Sequence, residues 1–212
     1  MSGGRRPASR AAAAAAVLLL LLLALLTATV MNGATQGLDE AVNRALQPLR
    51  LPALVTAARW ASRLAAPLVC LGLVLAASAW FWRARRRALL LPLWVLAFGV
   101  PASMEALKAF ADRPRPEALL GLTASGASFP SGTTVFAAAL YGFLACLLAG
   151  ALNSDSQRRL LALAAALLVL LIAFSRLLLS VHYLTDVAAG LLLGAAWACF
   201  GLWLAGKGAL DP

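Results

Sequence analysis

Six apolar runs, each close to the length a helix needs to cross a bilayer, dominate the 212-residue chain and exclude an ordinary soluble fold. A helical crossing of the hydrocarbon takes about 20 residues. The runs cover approximately residues 12–30, 65–82, 88–104, 132–152, 160–175 and 184–206, the third and fifth extended by a turn or so. Composition agrees: 63% of residues are hydrophobic and 12% charged, against roughly 45–50% apolar and 25% charged in a soluble domain. The sequence therefore predicts an all-α, polytopic membrane helix bundle with six transmembrane helices. Residues 1–212 form a single membrane domain, without an internal repeat of 20–50 residues.

The net charge of +10 is not a nucleic-acid signature. Lys and Arg punctuate the apolar runs instead of gathering on a soluble basic face, so no nucleic-acid partner is expected. Their positions report topology, because short cytoplasmic loops retain them. The densest cluster, Arg83 with Arg85, Arg86 and Arg87, lies between the second and third runs. Arg5, Arg6 and Arg10 before the first run, Arg158 and Arg159 between the fourth and fifth, and Lys207 after the last fall on the same side. Both termini, including residues 1–11, are then cytoplasmic, and residues 31–64, 105–131 and 176–183 lie outside. A basic segment before an apolar run also describes a signal peptide, but this run is longer than a usual signal core. Thr27-Ala28-Thr29-Val30 is a poor cleavage site, so an uncleaved first helix is expected.

The first outer connection, 31–64, carries Leu38, Val42, Leu46 and Leu49 at helical spacing, with Asp39, Glu40, Asn43 and Arg44 between them. That predicts an amphipathic helix at the interface. Pro48 and Pro52 break it, and a second short amphipathic piece carries Arg59, Trp60 and Arg63 toward the next span. Cys70, Cys146 and Cys199 all sit in apolar stretches and are expected to be buried free thiols. With one histidine and no Cys/His cluster, the ligands for a protein-built metal site are lacking. No metal and no cofactor are expected.

Polar chemistry concentrates in three short groups facing the outer side. The first is Lys108, six residues, Arg115-Pro116; the second is Ser128-Phe129-Pro130-Ser131-Gly132-Thr133-Thr134, opening the fourth run; the third is Ser175-Arg176, five residues, His182, three residues, Asp186. Lys108, Arg115 and Arg176 supply three cations, two of them guanidinium forks matched to phosphate oxygens. Ser131 and Gly132 stand at a helix N-terminus, where free amides and the helix dipole favour an anion. Together they describe a phosphate cage. His182 and Asp186 are four residues apart and share a helical face, so the carboxylate can hold one ring nitrogen protonated while the other points outward as nucleophile or base. Taken alone, Pro130-Ser131-Gly132 is no more than a helix cap, and Lys108 no more than a snorkelling interfacial cation. Arg113 and Asp112 read as loop residues paired with each other.

The three groups resemble, in order and internal spacing, the K-x6-R-P, P-S-G-H and S-R-x5-H-x3-D motifs of the type-2 phosphatidic acid phosphatase (PAP2) superfamily. That superfamily includes bacterial diacylglycerol-diphosphate and undecaprenyl-diphosphate phosphatases. The resemblance covers residues 100–206 as a catalytic core and implies a phosphoric monoester or diphosphate hydrolase. It implies His182 as nucleophile forming a phosphohistidine, with Asp186 orienting it, and Lys108, Arg115, Ser131, Gly132 and Arg176 holding the phosphate. It also implies a lipid phosphate or diphosphate substrate drawn from membrane lipids; the Arg- and Ala-rich composition points to a bacterial inner membrane, and the topology above turns the site toward the periplasm or exterior.

One position departs. Where the second motif has a histidine that looks like the general acid, this chain has Thr133, and His182 is the only histidine. A lipid alkoxide leaving from a monophosphate has a conjugate acid near that of water, about 15.7, and needs a proton. A phosphate leaving from a diphosphate, with a pKa of about 6, departs largely unassisted. Thr133 thus favours a diphosphate such as undecaprenyl diphosphate. Thr133 is also compatible with a replacement acid among Glu105, Asp112 and Glu117, or with loss of hydrolysis. A lipid phosphotransferase and a non-catalytic anionic-lipid-binding membrane protein are the alternatives.

Overall fold

A computed structural model describes residues 6–117 and 125–206. Arg5 and Lys207, two of the expected topology signals, lie outside the described residues. Among the described residues every regular element is helical: α1 Arg6–Met31, α2 Gln36–Ala45, a 3-10 turn Gln47–Leu49, α3 Pro52–Arg63, α4 Pro67–Arg83, a second 3-10 turn Arg87–Leu89, α5 Leu90–Ala111, α6 Gly132–Gly150, α7 Asp155–Leu178 and α8 Leu184–Gly206. A π-helical stretch, Ala137–Tyr141, widens the middle of α6 without interrupting it.

Five helices, α1, α5, α6, α7 and α8, are long and apolar enough to span a membrane. The second expected crossing is less regular than its sequence suggests. Pro67 occupies the first turn of α4, where a missing N–H costs nothing, and the helix it starts has only 17 residues. Pro52 starts α3 in the same way, and α3 and α4 meet at a bend of 41°. The sixth crossing exists only if this bent pair counts as one span.

The first outer connection folds into α2 and α3, but α2 is turned relative to its expected face. Leu38 and Leu49 are exposed, while Asp39, Val42, Asn43 and Leu46 face the bundle. The rotation has an electrostatic cause, described below: the inward face carries a carboxylate that meets a buried arginine. The thiols also differ from expectation. Cys70 is buried, whereas Cys146 is exposed on the outer surface of α6 and Cys199 is partly exposed. An exposed apolar side chain on a span faces lipid tails, so burial within the protein is not required there.

α8 is the centre of the bundle, packed against α1, α5, α6 and α7, and it is the most enclosed of the five long helices. Its small residues permit the closeness. A Cβ added at Gly194 would come within 2.6 Å of the Val135 carbonyl oxygen and of the Ala138 methyl on α6. Such close backbone approach is how small residues drive helix pairing in lipid, where no hydrophobic force acts between helices. All three polar groups lie at one end of the bundle: the end of α5, the start of α6 and the α7–α8 corner. The Arg83–Arg87 and Arg158–Arg159 loops lie at the other.

Replacing Gly194 by leucine is expected to wedge α6 from α8. Overpacking of this kind costs about 1–3 kcal/mol, and thermal unfolding in detergent should show a clearly lowered midpoint. An unchanged midpoint would contradict the close approach.

Candidate active site

The chain leaves α5 through Asp112, which is left-handed at φ 36° and whose N–H caps the helix on the Lys108 carbonyl at 2.9 Å. Asp tolerates this conformation better than most residues. Pro114 and Pro116 then force the preceding residues into extended backbone. In an extended segment residues two apart share a side. Arg113 and Arg115 accordingly both reach the α7–α8 corner.

Arg115 is held by backbone carbonyls, donating from Nε to Gly126 at 3.0 Å and from Nη1 to Val181 at 2.9 Å. The same Nη1 lies 3.3 Å from His182 Nε2. Lys108 is mostly buried, bonded to Glu105 at 3.2 Å, and its Nζ stands 3.9 Å from where a Cβ of Gly132 would be. The ammonium is therefore beside the first turn of α6. The first intrahelical bond there runs from the Val135 N–H to the Ser131 carbonyl at 3.0 Å, which places the amides of residues 132–134 ahead of the ladder. Ser131 makes no side-chain cap bond; it is fully buried, its Oγ accepts from Thr134 Oγ1 at 3.0 Å, and its N–H donates to the Asp186 carbonyl at 3.0 Å. Arg176 donates from Nη1 to Ser62 Oγ on α3, and its Nε is buried without a hydrogen-bond partner. An unpaired buried guanidinium N–H is costly and is a donor available to a ligand.

His182 is oriented differently from the simple four-residue pairing. Its Nδ1 lies 2.9 Å from the Ser128 carbonyl oxygen but 3.7 Å from Asp186 Oδ2. A carbonyl only accepts, so Nδ1 carries the proton and Nε2 keeps its lone pair. The backbone of the second motif fixes the tautomer, and Asp186 supplies charge one step further away. Burial pushes His182 down to about 4; Asp186 pulls in the other direction, and Arg176 and Arg115 add to the depression.

Asp186 has no solvent exposure and accepts from Ser128 Oγ, from the Tyr183 N–H at 2.8 Å and from Arg113 Nη1 at 2.7 Å. Arg113 also pairs with Asp39 of α2 at 2.7 Å and lies over the Tyr183 ring at 4.3 Å. This corrects the expectation that Arg113 pairs with Asp112, which is exposed. Burial opposes the charged form of Arg113, but Asp39 and Asp186 outweigh it and raise its pKa. Asp39 further accepts from the Thr185 N–H at 3.0 Å and from Thr185 Oγ1 at 2.6 Å. Sequence reasoning missed four contributors: Asp39, Arg113, Ser128 and Thr185. The available signals were the Asp39-Val42-Asn43-Leu46 spacing and the alternation Arg113-Pro114-Arg115-Pro116.

Geometry and comparison agree on the class. A family model described as the PAP2 superfamily matches residues 88–208. The chain belongs to this superfamily and is an integral membrane protein. Phosphatidylglycerophosphatase B of Bacillus subtilis is 31% identical over 174 residues, which are 80% of this chain and 84% of that protein. Among solved structures, the transmembrane PAP2-type phosphatidylglycerolphosphate phosphatase from Bacillus subtilis superposes with a TM-score of 0.83 at 28% identity, covering 91% of this chain and 96% of the other. Aquifex aeolicus LpxE shares the fold, with a TM-score of 0.59 at 24% identity over 78% of this chain and 94% of its own.

Because His182 is the only histidine, isotope-labelled imidazole NMR reports it without assignment. The ring is expected to stay neutral, with Nδ1 protonated, until the pH approaches about 4. An unfolded histidine titrates near 6.5, so its stabilising effect is complete above that pH and is lost as pH falls from there to about 4. A midpoint near 6.5 in the folded protein would contradict the buried, carbonyl-bonded ring.

Proposed function

We propose that the protein is a metal-independent lipid phosphate or diphosphate phosphatase acting through a phosphohistidine on His182. The observation that carries this reading is the pairing of an Nδ1 held at 2.9 Å by the Ser128 carbonyl with an Nε2 facing Arg115 at 3.3 Å. That is a nucleophilic lone pair aimed at a cationic pocket. A phosphoryl group entering between Lys108, Arg115, Arg176 and the start of α6 meets charge complementary to its oxygens. In the first step Nε2 forms a bond to phosphorus while the bond from phosphorus to the bridging lipid oxygen breaks. That oxygen leaves with the lipid product: from a diphosphate it departs on the lipid phosphate without needing a proton, and from a monophosphate it takes one from a donor. In the second step water attacks phosphorus, the P–N bond breaks, inorganic phosphate leaves and His182 returns neutral.

Thr133 stands in the first turn of α6, half-buried beside this pocket. A hydroxyl is a poor acid near neutral pH, so the leaving-group argument favours a diphosphate, polyprenyl diphosphates such as undecaprenyl diphosphate being of the right kind. A second reading is supported by the relative named phosphatidylglycerophosphatase B, whose name denotes a lipid monophosphate substrate. It requires a proton donor. All three nearby carboxyls, Glu105, Asp112 and Glu117, are exposed, and Glu105 contacts a site cation, Lys108 at 3.2 Å. With the arginine-rich loops at the opposite end, the positive-inside rule directs the site away from the cytoplasm, toward the periplasm or exterior of a bacterial inner membrane.

Phosphate release by the purified protein in detergent, with chelator and no divalent metal, tests both readings. The expected result is release from a polyprenyl diphosphate at least tenfold faster than from phosphatidylglycerophosphate, and none from His182→Ala. Equal turnover of both lipids, with loss in Glu105→Gln, would support the monophosphate reading with Glu105 as acid. Release that survives in His182→Ala would reject the phosphohistidine. Binding without release would indicate a transferase awaiting an acceptor or a binding protein.

A further inference from the structure

Asp39 lies outside residues 88–208, on a helix that reads from sequence as an interfacial amphipath, yet it is almost completely buried. It closes a cluster in which one guanidinium, Arg113, is shared between two carboxylates, Asp39 and Asp186, at 2.7 Å each. Thr185 binds Asp39 through both its N–H and its hydroxyl, and the same Arg113 Nη1 donates to Thr185 Oγ1 at 2.8 Å. This arrangement bears on His182 through charge. When Nε2 takes the phosphoryl group and Nδ1 keeps its proton, the ring becomes cationic, and Asp186 is the anion 3.7 Å from it. If Arg113 paired with Asp186 alone, the two charges would cancel and the ring would face a neutral pair. With Asp39 on the other side of Arg113, the cluster carries one net negative charge.

We propose that Asp39 of α2 is a positioning residue for phosphoryl transfer, which holds Arg113 so that the charge of Asp186 remains available to the phosphorylated ring of His182. The proposal rests on the phosphohistidine reading above. It gives the outer helix α2 a function in the reaction in addition to packing. It also explains why α2 turns Asp39 inward while Leu38 stays exposed.

The test is a double-mutant cycle in the full-length protein, with kcat and KM measured per folded molecule on the substrate that the phosphate-release assay selects. Asp39→Asn keeps an oxygen for the Thr185 N–H but removes the charge. It is expected to lower kcat at least tenfold, equivalent to about 1.4 kcal/mol of barrier, with KM within twofold. Adding Arg113→Gln removes the cation that Asp39 balances and restores one net negative charge, so the double variant should recover at least threefold of the lost kcat. A clamp of purely structural value predicts the opposite, since the double variant breaks more contacts. Should Asp39→Asn not fold, the double variant, in which Asp186 keeps its bonds from Ser128 and the Tyr183 amide, is read alone. A kcat within tenfold of the parent supports the proposal, and a fall to the His182→Ala level overturns it. Equally, a kcat within twofold of the parent for Asp39→Asn, or a double variant no better than the single, overturns it. Activity remaining in His182→Ala would instead remove the phosphohistidine reading on which it stands.

Discussion

The buried carboxylate of Asp186 is the group through which the three polar motifs become one site. Its side chain accepts from Arg113 beyond α5, from Ser128 before α6 and from the Tyr183 amide at the start of α8, and its own carbonyl receives the Ser131 N–H. A carboxylate without solvent contact is strongly unfavourable unless paired and hydrogen-bonded. Every element that supplies a partner is therefore drawn to the same corner. The donors proposed to hold phosphate sit on those elements: Lys108 on α5, the amides of residues 132–134 on α6, and Arg115 on the extended segment between prolines. Removing Asp186 would leave a buried arginine and hydroxyl unpaired as well as depriving His182 of its anion.

The bilayer determines why this chemistry is confined to one end. Hydrocarbon offers nothing to a polar side chain, so the bodies of the helices are apolar and pair through small residues such as Gly194. Buried polar side chains gather instead where α5, α6, α7 and α8 meet water, covered by α2 and α3. Beside an apolar contact of Val55 and Ala58 with Leu178 and Val181, the cover presents polar groups inward. Asp39 of α2 meets Arg113, Asn43 receives Arg50 Nη2 and Ser180 Oγ, and Ser62 of α3 receives Arg176. The outer connection is thus part of the site's electrostatics.

What the sequence made legible was local. The proline breaks at 48 and 52, the α6 start at Gly132 and the His182–Asp186 proximity all follow from short-range spacing, and the structure shows each. Two kinds of feature were not legible. Contacts across long stretches of chain, such as Arg113 to Asp39 over 74 residues, leave no periodic trace, and the apolar spacing of residues 38–49 gave no sign that Asp39 faces inward. Backbone partners are invisible in a residue pattern, which is why the Ser128 carbonyl, and not Asp186, was found on Nδ1. The bend between α3 and α4 was likewise not legible: Pro67 starts α4, but the angle depends on packing against α7.

The central claim is that His182 carries the phosphoryl group, and the most direct measurement is to trap it. The protein is mixed with lipid substrate labelled at the transferred phosphorus, quenched within milliseconds in base and mapped by peptide. The account predicts label on the peptide containing His182, lost in acid, retained in alkali and absent from His182→Ala. Active enzyme that releases phosphate at the same rate with no label on that peptide at any quench time would contradict it.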